Sequence, residues 1–447
     1  MTARRLPNGV FMNEVSLDKI VSLCKRRGFI YQSAEIYGGI NGVYDFGHLG
    51  TLMKKNIKNY WTKAITNFSE NILFLDGGIL GSEAVWVASG HVANFHDPMV
   101  DCLNCKHRFR ADEIDLNKPC PNCGKKSWTD VREFNLMFKT SIGAATDKSS
   151  IGYLRPETAQ SIFINFKNMI STNRVKLPFG IAQIGKAFRN EITPKQFIFR
   201  SREFEQMELE WFCKAEDAQK YFKEWLEARF DFYLSLGIDK DRLRLRPHAS
   251  NELAHYSTCC SDVEYEFPFG WKELEGIAHR GNFDLTQHSK HSGKELAIRD
   301  EETNSNIVPD VVECSVGVDR LFLTLMFDAY HEEDIEGETR VVLKLHPKIA
   351  PVKAAFMPLT NKLDDATYKL FKEIQKKLDY DIQYDKSGSI GKRYRRQDEI
   401  GTPLCFTYDF ESEADNSVTV RNRDTTEQQR IKITDIPNFI INYINNG

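Results

Sequence analysis

The chain of 447 residues carries 60 Lys and Arg against 63 Asp and Glu, a formal net charge of -3. It is therefore not a globally basic nucleic-acid binder, and any RNA contact must come from a local basic patch. With 41% hydrophobic and 28% charged residues it has the balance of a soluble globular protein, and its length suggests roughly two to four domains. No run of about 18 apolar residues exists, so no membrane span is expected. The N-terminal segment MTARRLPNGVFMNEV has no apolar signal core, which speaks against secretion. The ten cysteines form one tight cluster of four, with the others single or adjacent (Cys259-Cys260). That is not a secreted disulfide framework, and a reducing, cytoplasmic setting is expected.

Residues 16–30 read as a helix, with Ser16 as N-cap and Leu17, Ile20, Val21 and Leu23 on the apolar face. A Gly- and Tyr-rich stretch, 33–50, precedes a second helix expected from about residue 51 to 68, with Leu52, Ile57, Trp61 and Ile65 at helical spacing. Core packing explains such a stripe, and a dimer face shows the same pattern. Ser89-Gly90-His91 is a tight polar turn, where a lone His is more often a structural hydrogen-bonding residue than a catalyst.

Cys102-x2-Cys105 and Cys120-x2-Cys123 are separated by fourteen residues. Each knuckle carries turn residues: Asn104 in the first, Pro121, Asn122 and Gly124 in the second. Four thiolates at this spacing suit tetrahedral zinc, and four protein ligands leave no open position, so the Zn²⁺ is expected to be structural. Lys106, His107, Arg108 and Arg110 in the intervening loop fit either an RNA or phosphate contact or a solvated face.

The segment Leu154-Arg155-Pro156-Glu157-Thr158-Ala159-Gln160 opens an apolar helix over 161–170. Glu157 there is either a first-turn acid or a site residue. Residues 183–212 alternate large apolar and charged side chains around a break at Thr193-Pro194-Lys195-Gln196, predicting strand (181–188), loop and strand (197–212). Such a hairpin is either a salt-laced surface or a platform whose arginines grip phosphate while its carboxylates hold a cation. An amphipathic helix is expected over 215–236 and short strands over 240–290, where Trp271, Glu273, Leu274, Glu275 and Gly276 again mix acid with apolar. Residues 311–330 read as a strand to Ser315, a glycine turn at Gly317, and a helix with Arg320 in its first turn. A cation there opposes the helix dipole, which makes sense where a phosphate or purine needs it.

Residues 331–341 read as an acidic linker. After it, 352–357 strand, 363–378 helix, 381–384 strand, 390–399 helix, 403–409, 417–421 and 429–434 strands, and 436–444 helix make a separate α/β domain. Its SIGKRYRRQDEIG segment groups Lys392, Arg393, Arg395 and Arg396 around Tyr394. This suits an RNA backbone with an unstacked base, or equally a solvated helix face.

Three of these blocks, in this order, resemble the class II aminoacyl-tRNA synthetases. Arg189-Asn190-Glu191 through Arg202 is similar to their second motif and Gly317-Val318-Asp319-Arg320 to their third, with the degenerate first motif falling near 45–75. RPETAQ, FRNEI, REFEQMELE, ELEGIAHR and GVDR together resemble the homodimeric glycyl-tRNA synthetases of bacterial type, over nearly the whole chain. The resemblance implies a mixed α/β (α+β) fold: an antiparallel sheet flanked by helices in a catalytic domain (1–340), a zinc-knuckle insertion (about 97–130), and an α/β anticodon-binding domain (341–447). It implies ATP and Mg²⁺, with glycine and a glycine tRNA as partners.

It also implies roles. Arg189 and Arg320 would carry catalysis. ATP would be held by Arg189, Asn190 and Glu191, by Phe199, Arg200, Ser201, Arg202, Glu203 and Phe204, by Glu273 and Leu274, and by Gly317, Val318, Asp319 and Arg320. Phe204 would stack adenine. Glycine would be held by Arg110 and Glu157, by Phe204, Glu205, Gln206, Met207 and Glu208, and by Glu313, Cys314, Ser315, Val316 and Gly317. Adenylyl transfer needs positioning and charge stabilisation more than covalent catalysis, which fits arginines without a Ser-His-Asp set. The chain departs from the family at Cys314, where Pro is common. A related enzyme for another amino acid such as proline or threonine, and a catalytically silent RNA-binding relative, share part of the pattern; Arg189, Arg202 and Arg320 argue against the second.

Overall fold

A computed structural model describes residues 15–144, 150–254, 257–335 and 337–446. The N-terminal segment judged to lack a signal core lies almost wholly outside them. The first helix, Leu17–Arg27, starts at Ser16, whose hydroxyl accepts from the Lys19 amide, and ends at Gly28 in the left-handed region. The second, His48–Phe68 (α1), begins a turn earlier than its apolar spacing indicates. Met53, Ile57, Trp61 and Ile65 bury one of its faces in the main core.

The N-terminal part is built on a seven-stranded sheet. Its strands in chain order are Ile72–Phe74 (β1), Phe179–Phe188 (β2), Glu203–Cys213 (β3), Leu243–Pro247 (β4), Cys259–Phe267 (β5), Gly270–Gly281 (β6) and Asp310–Gly317 (β7). In space they run β4-β5-β6-β7-β3-β2-β1. All neighbours are antiparallel except β1, which joins β2 in parallel. Alternation decides the two faces. Met207, Leu209, Val312, Cys314 and Val316 point into the core that α1 shares with Ala218–Ser235 (α3) and Val318–Ala329 (α4). On the opposite face, Ile181, Phe212 and Val311 pack under Phe163 and Phe166 of the helix Ala159–Asn173 (α2). That aromatic cluster closes one end of the face, and Gln206, Glu208, Glu210, Glu313 and Ser315 follow it toward the open end.

Two register shifts in β6 change which side chains reach that face. Val263 pairs with Glu275 and Glu264 with Glu273, leaving Leu274 as the extra residue. Strict alternation would put both glutamates on one side; the bulge sends Glu273 to the open face and Glu275 to the helices. The second shift falls between His279 and Gly281, on either side of Arg280. Glu275 is fully buried, accepting from Arg229 Nε at 2.7 Å and from the Tyr233 hydroxyl, both on α3.

The structure corrects three expectations. The second arm of the central hairpin begins at Glu203, not 197, because Gln196 and Phe197 adopt left-handed φ values of 60° and 58° and Phe197–Phe199 forms a short 3-10 turn. The strands over 240–290 are long, up to the twelve residues of β6. The supposed acidic linker is an antiparallel hairpin, Tyr330–Ile335 with Glu338–Leu343. Its acids are paired, Glu333 with Arg340 at 2.6 Å and Lys344 at 2.8 Å, which is why an acid-rich run can be a strand.

Beyond it, the C-terminal unit has five strands: Ile382–Tyr384, Ala354–Pro358, Leu404–Tyr408, Ser417–Asn422 and Gln428–Lys432 from edge to edge, the first three parallel. Its three longer helices, Asp364–Gln375, Ile390–Ile400 and Ile436–Asn446, follow the predicted ranges closely. In the basic segment, Arg393 is buried and donates to the carbonyls of Pro358 and Gly388, the Tyr394 hydroxyl meets that of Thr407, and Arg396 pairs with Asp385. Arg393 is thus a buried structural residue, while Lys392 is exposed and Arg395 and Arg396 are partly exposed.

Removing one partner of a buried ion pair strands the other charge. Arg229→Ala should lower stability by about 3–5 kcal/mol in chemical denaturation, while Lys176→Ala, whose partner Glu301 is exposed, should leave the midpoint unchanged.

Candidate functional site

The open face of the sheet carries two adjoining lobes. The larger, about 370 Å³, lies between the 189–202 loop, the start of α4 and a small three-stranded sheet from the cysteine-bearing insertion. The smaller, about 230 Å³, lies over β3, β6 and β7 beside the start of α2. Arg189, Gln206, Glu273 and Ser315 line both.

Arg189 stands at the junction. Its Nε donates to the Pro156 carbonyl at 3.1 Å, and its guanidinium lies 5.3 Å from the Phe95 ring centre and 5.4 Å from that of Phe204. Phe204 thus lines the larger lobe next to Arg189. Arg320, in the first turn of α4, donates to the Glu273 carboxylate and carbonyl, both at 2.9 Å, and lies 4.7 Å over the Phe199 ring. Two fixed cations, each on an aromatic face, therefore flank the larger lobe. Arg200, Ser201 and Gly317 complete that wall, and Glu191 contributes a carboxylate raised by burial despite Arg200 and Arg189.

The insertion reaches into the same lobe. Arg110 donates to Asp97 at 2.6 Å and pairs with Asp112 at 2.7 Å, while Glu113 accepts from Lys195 at 2.6 Å and Arg200 at 2.9 Å. The insertion thereby holds the 189–202 loop. Its four cysteine sulfurs lie within 4.8 Å of one another, with Cys102–Cys123 at 3.6 Å and Cys105–Cys120 at 3.8 Å. Zn–S bonds of about 2.3 Å give tetrahedral edges of about 3.8 Å, so the donor set fits a closed zinc site.

In the smaller lobe, carboxylates outnumber cations. Glu208 accepts from the Thr158 amide at 2.9 Å and its hydroxyl, at the start of α2, and from Ser315 Oγ at 2.7 Å and Gln206 at 2.9 Å. Burial and Glu157 nevertheless push it above the ordinary range. Glu157 goes the other way: burial opposes its charge, but His91, 3.2 Å away, together with Arg280 and Gln160 holds it well below that range. His91 is in turn fixed by Ser89 Oγ at 2.8 Å. Glu313 rises to about 7 through burial, with Glu208 and Glu157 adding to it against Arg280. Glu210, cross-strand from Glu313, is buried without a hydrogen-bond partner and is raised well above its usual value by burial and Glu313; two such neighbours cannot both ionise. Arg280, at the second shift, grips Asp284 at 2.8 and 3.0 Å and Glu313 at 2.9 Å. A small cavity with this charge excess suits a small ammonium.

Several predicted residues lie elsewhere. Met207, Leu274, Cys314, Val316 and Val318 turn their side chains into the core by strand alternation and helix packing. Burial drives the Cys314 thiol well above its ordinary value, which removes the basis for unusual reactivity. Glu205 faces away, bound to Lys54 at 3.0 Å and Lys58 at 2.9 Å; Asp319 shares Lys54 at 2.6 Å but lines the larger lobe. Glu203 pairs with Lys186 outside the cleft. Arg202 braces the loop by donating to the Glu191 and Asn41 carbonyls. Asn190 does not line either lobe, although its amide donates to the Leu136 carbonyl at 2.6 Å. Arg110 belongs to the larger lobe, not the smaller.

Sequence reading missed Phe95, Asp97, Glu113, Asp284 and the roles of His91 and Arg280. Arg280 had a signal as the cation ending ELEGIAHR, and His91 as the lone histidine of a polar turn. The others become neighbours through folding of segments far apart in the chain.

Family models match twice: "tRNA synthetase class II core domain (G, H, P, S and T)" over residues 138–336 and "Anticodon binding domain" over 353–443. Among curated proteins, the glycine–tRNA ligase of Caldanaerobacter subterraneus subsp. tengcongensis is 51% identical, covering 96% of this chain and 98% of its own. Those of Clostridium beijerinckii and Geobacillus thermodenitrificans are each 49% identical, covering 96% and 95% of this chain and 98% and 97% of theirs.

The Glu313 proton has a signed consequence. With its folded value at about 7 against an ordinary 4.5, the folded state holds more protons than the unfolded state between those limits. Its contribution therefore makes stability fall as pH rises through that window. Denaturation midpoints across it should show a shallower fall for Glu313→Gln than for wild type.

Proposed function

The chain belongs to the class II aminoacyl-tRNA synthetases, in the glycine–tRNA ligase family, and from that membership we propose how its two lobes divide the work. It joins glycine to ATP, giving glycyl-adenylate and pyrophosphate, and then transfers glycine to the 3′ end of its tRNA. The larger lobe takes ATP and the smaller takes glycine. The observation that carries this division is the position of Arg189 at their junction, where the glycine carboxylate must meet the α-phosphorus.

In that reading Arg189 neutralises charge on the α-phosphate and the carboxylate as the new bond forms in line. Arg320 does so for the departing phosphates. The adenine ring enters beside Phe199 and Arg320, with Glu191 and Arg200 at the loop. Glu157, Glu208 and Glu313 hold the glycine ammonium, and Ser315 and Gln206 set the orientation of Glu208. Glycine has no side chain to grip, so recognition falls on its ammonium and on the lack of space beyond its Cα; a rejected methyl is worth about 1–3 kcal/mol. Mg²⁺ would supply charge neutralisation on the triphosphate, and Glu273, one of the carboxylates lining the ATP lobe, would help to hold it. Cys102, Cys105, Cys120 and Cys123 would hold a structural Zn²⁺ that keeps Arg110 and Glu113 in place. We assign residues 1–340 to catalysis, with the insertion at about 97–130, and 341–447 to the anticodon. We also read the enzyme as a cytoplasmic homodimer. All ten cysteines are free thiols, which supports a reducing compartment, and no helix among the described residues is long and apolar enough to cross a membrane.

Pyrophosphate exchange should depend on glycine and not on proline or threonine; exchange with another amino acid alone would end the glycine reading. Arg320→Ala should lower exchange by about 10²–10³-fold while leaving tRNA binding intact, and unchanged exchange would remove its assigned role. Metal analysis of purified enzyme should find at least one zinc per chain, and its absence would refute the closed zinc site.

A further inference from the structure

The pair Cys259-Cys260 takes no part in the chemistry above. The two thiols point in opposite directions: Cys259 Sγ faces Gln219 of α3 at 3.8 Å, and Cys260 lines the smaller lobe. Asp262, two residues on, shares the face of Cys260. His248 comes in from the end of the neighbouring strand, its amide donating to the Cys260 carbonyl at 2.9 Å. Its imidazole Nε2 lies 2.7 Å from Asp262 Oδ2. One ligand atom each from His248, Cys260 and Asp262 fall within 4.8 Å of one another, on the wall of the cavity that holds Glu157, Glu208 and Glu313.

We propose that His248, Cys260 and Asp262 form a second metal site, taking a thiophilic divalent cation such as zinc at the wall of the glycine lobe. An imidazole, a thiolate and a carboxylate are a mixed set that favours zinc over magnesium. Three protein ligands leave a fourth position, unlike the four-cysteine site. Zinc bond lengths put such ligand atoms about 3.3–3.7 Å apart, so the histidine and aspartate need to part by less than an ångström while the thiol closes in. The neighbouring cation, Arg246, is 3.6 Å from Asp262 but is shared with Glu252 and Glu264, leaving Asp262 available. Binding displaces the thiol proton to solvent and changes no oxidation state. The ion adds positive charge beside the carboxylates assigned to the ammonium, so occupancy opposes glycine; that consequence rests on the division of lobes proposed above, whereas the site itself does not.

The test is titration of Co²⁺ into the full-length enzyme dialysed against a chelator until one zinc per chain, that of the four-cysteine cluster, remains. Wild type and Cys259→Ser should each show one cobalt with a thiolate-to-metal charge-transfer band. Cys260→Ser should lose that band, and His248→Ala should need more than tenfold more cobalt. Exchange into the four-cysteine cluster would appear equally in every variant and cancel in the comparison. Identical titrations for wild type and Cys260→Ser, with both variants folded by circular dichroism, would overturn the site. In pyrophosphate exchange, zinc should raise the KM for glycine several-fold in wild type and not in Cys260→Ser; a charge-transfer band with an unmoved KM would overturn the antagonism with glycine and leave the metal site standing.

Discussion

Holding several buried carboxylates side by side is the constraint on which the rest of the structure depends. An ionised carboxylate taken from water into a low-dielectric interior costs several kcal/mol unless hydrogen bonds or a counter-charge offset it. Here the compensation is unequal by design of the chain. Glu208 receives the start of α2 and two side-chain donors, Glu157 receives His91 and Gln160, and Glu313 receives one arm of Arg280. Glu210 has no hydrogen-bond partner, and burial with Glu313 beside it raises its carboxyl well above the usual value. The balance left over is negative, which is the basis for assigning a small ammonium to this lobe. The same arithmetic explains why Arg280 also holds Asp284: a guanidinium with both edges occupied cannot swing away and leave the carboxylates alone.

Placing those groups depends on departures from regular structure. Without the extra residue at Leu274, Glu273 would join Glu275 on the helix side and Arg320 would lose its partner in the cleft. Without the shift at Arg280, the ladder would fix that side chain by strand alternation. The insertion does for the loop what the bulges do for the sheet: Glu113 takes Lys195 and Arg200, and Arg110 sits between Asp97 and Asp112. A metal ion held by the four cysteines would therefore act on the larger lobe at a distance, through salt bridges and not through direct contact.

How much of this was legible in the sequence follows from the range of the forces involved. Helices with one-sided apolar spacing and capping residues, such as Leu17–Arg27 and Asp364–Gln375, were readable because their signals are local. The four cysteines were readable because zinc geometry is stricter than chance spacing. The hairpin at Tyr330–Ile335 was not, because its acids are neutralised by Arg340 and Lys344, whose partnership only the folded chain reveals. The site residues were placed by resemblance, which carries segments and not side-chain directions. Within a matched strand, alternate residues face opposite ways, so Glu208 and Ser315 reach the cavity while Met207, Cys314 and Val316 fill the core and Glu205 meets Lys54. Likewise the cations of SIGKRYRRQDEIG could be counted, but the carbonyls of Pro358 and Gly388 that claim Arg393 could not.

The central claim is that the carboxylate lobe recognises an ammonium. Its most direct test is the affinity of the enzyme for a non-hydrolysable glycyl-adenylate analogue compared with the same molecule lacking the amino group. Loss of a charged hydrogen-bonded group worth about 1.5–3 kcal/mol or more predicts weakening by about 10- to 100-fold or beyond, with the difference shrinking in Glu208→Gln. Equal affinity for the two analogues would contradict the account.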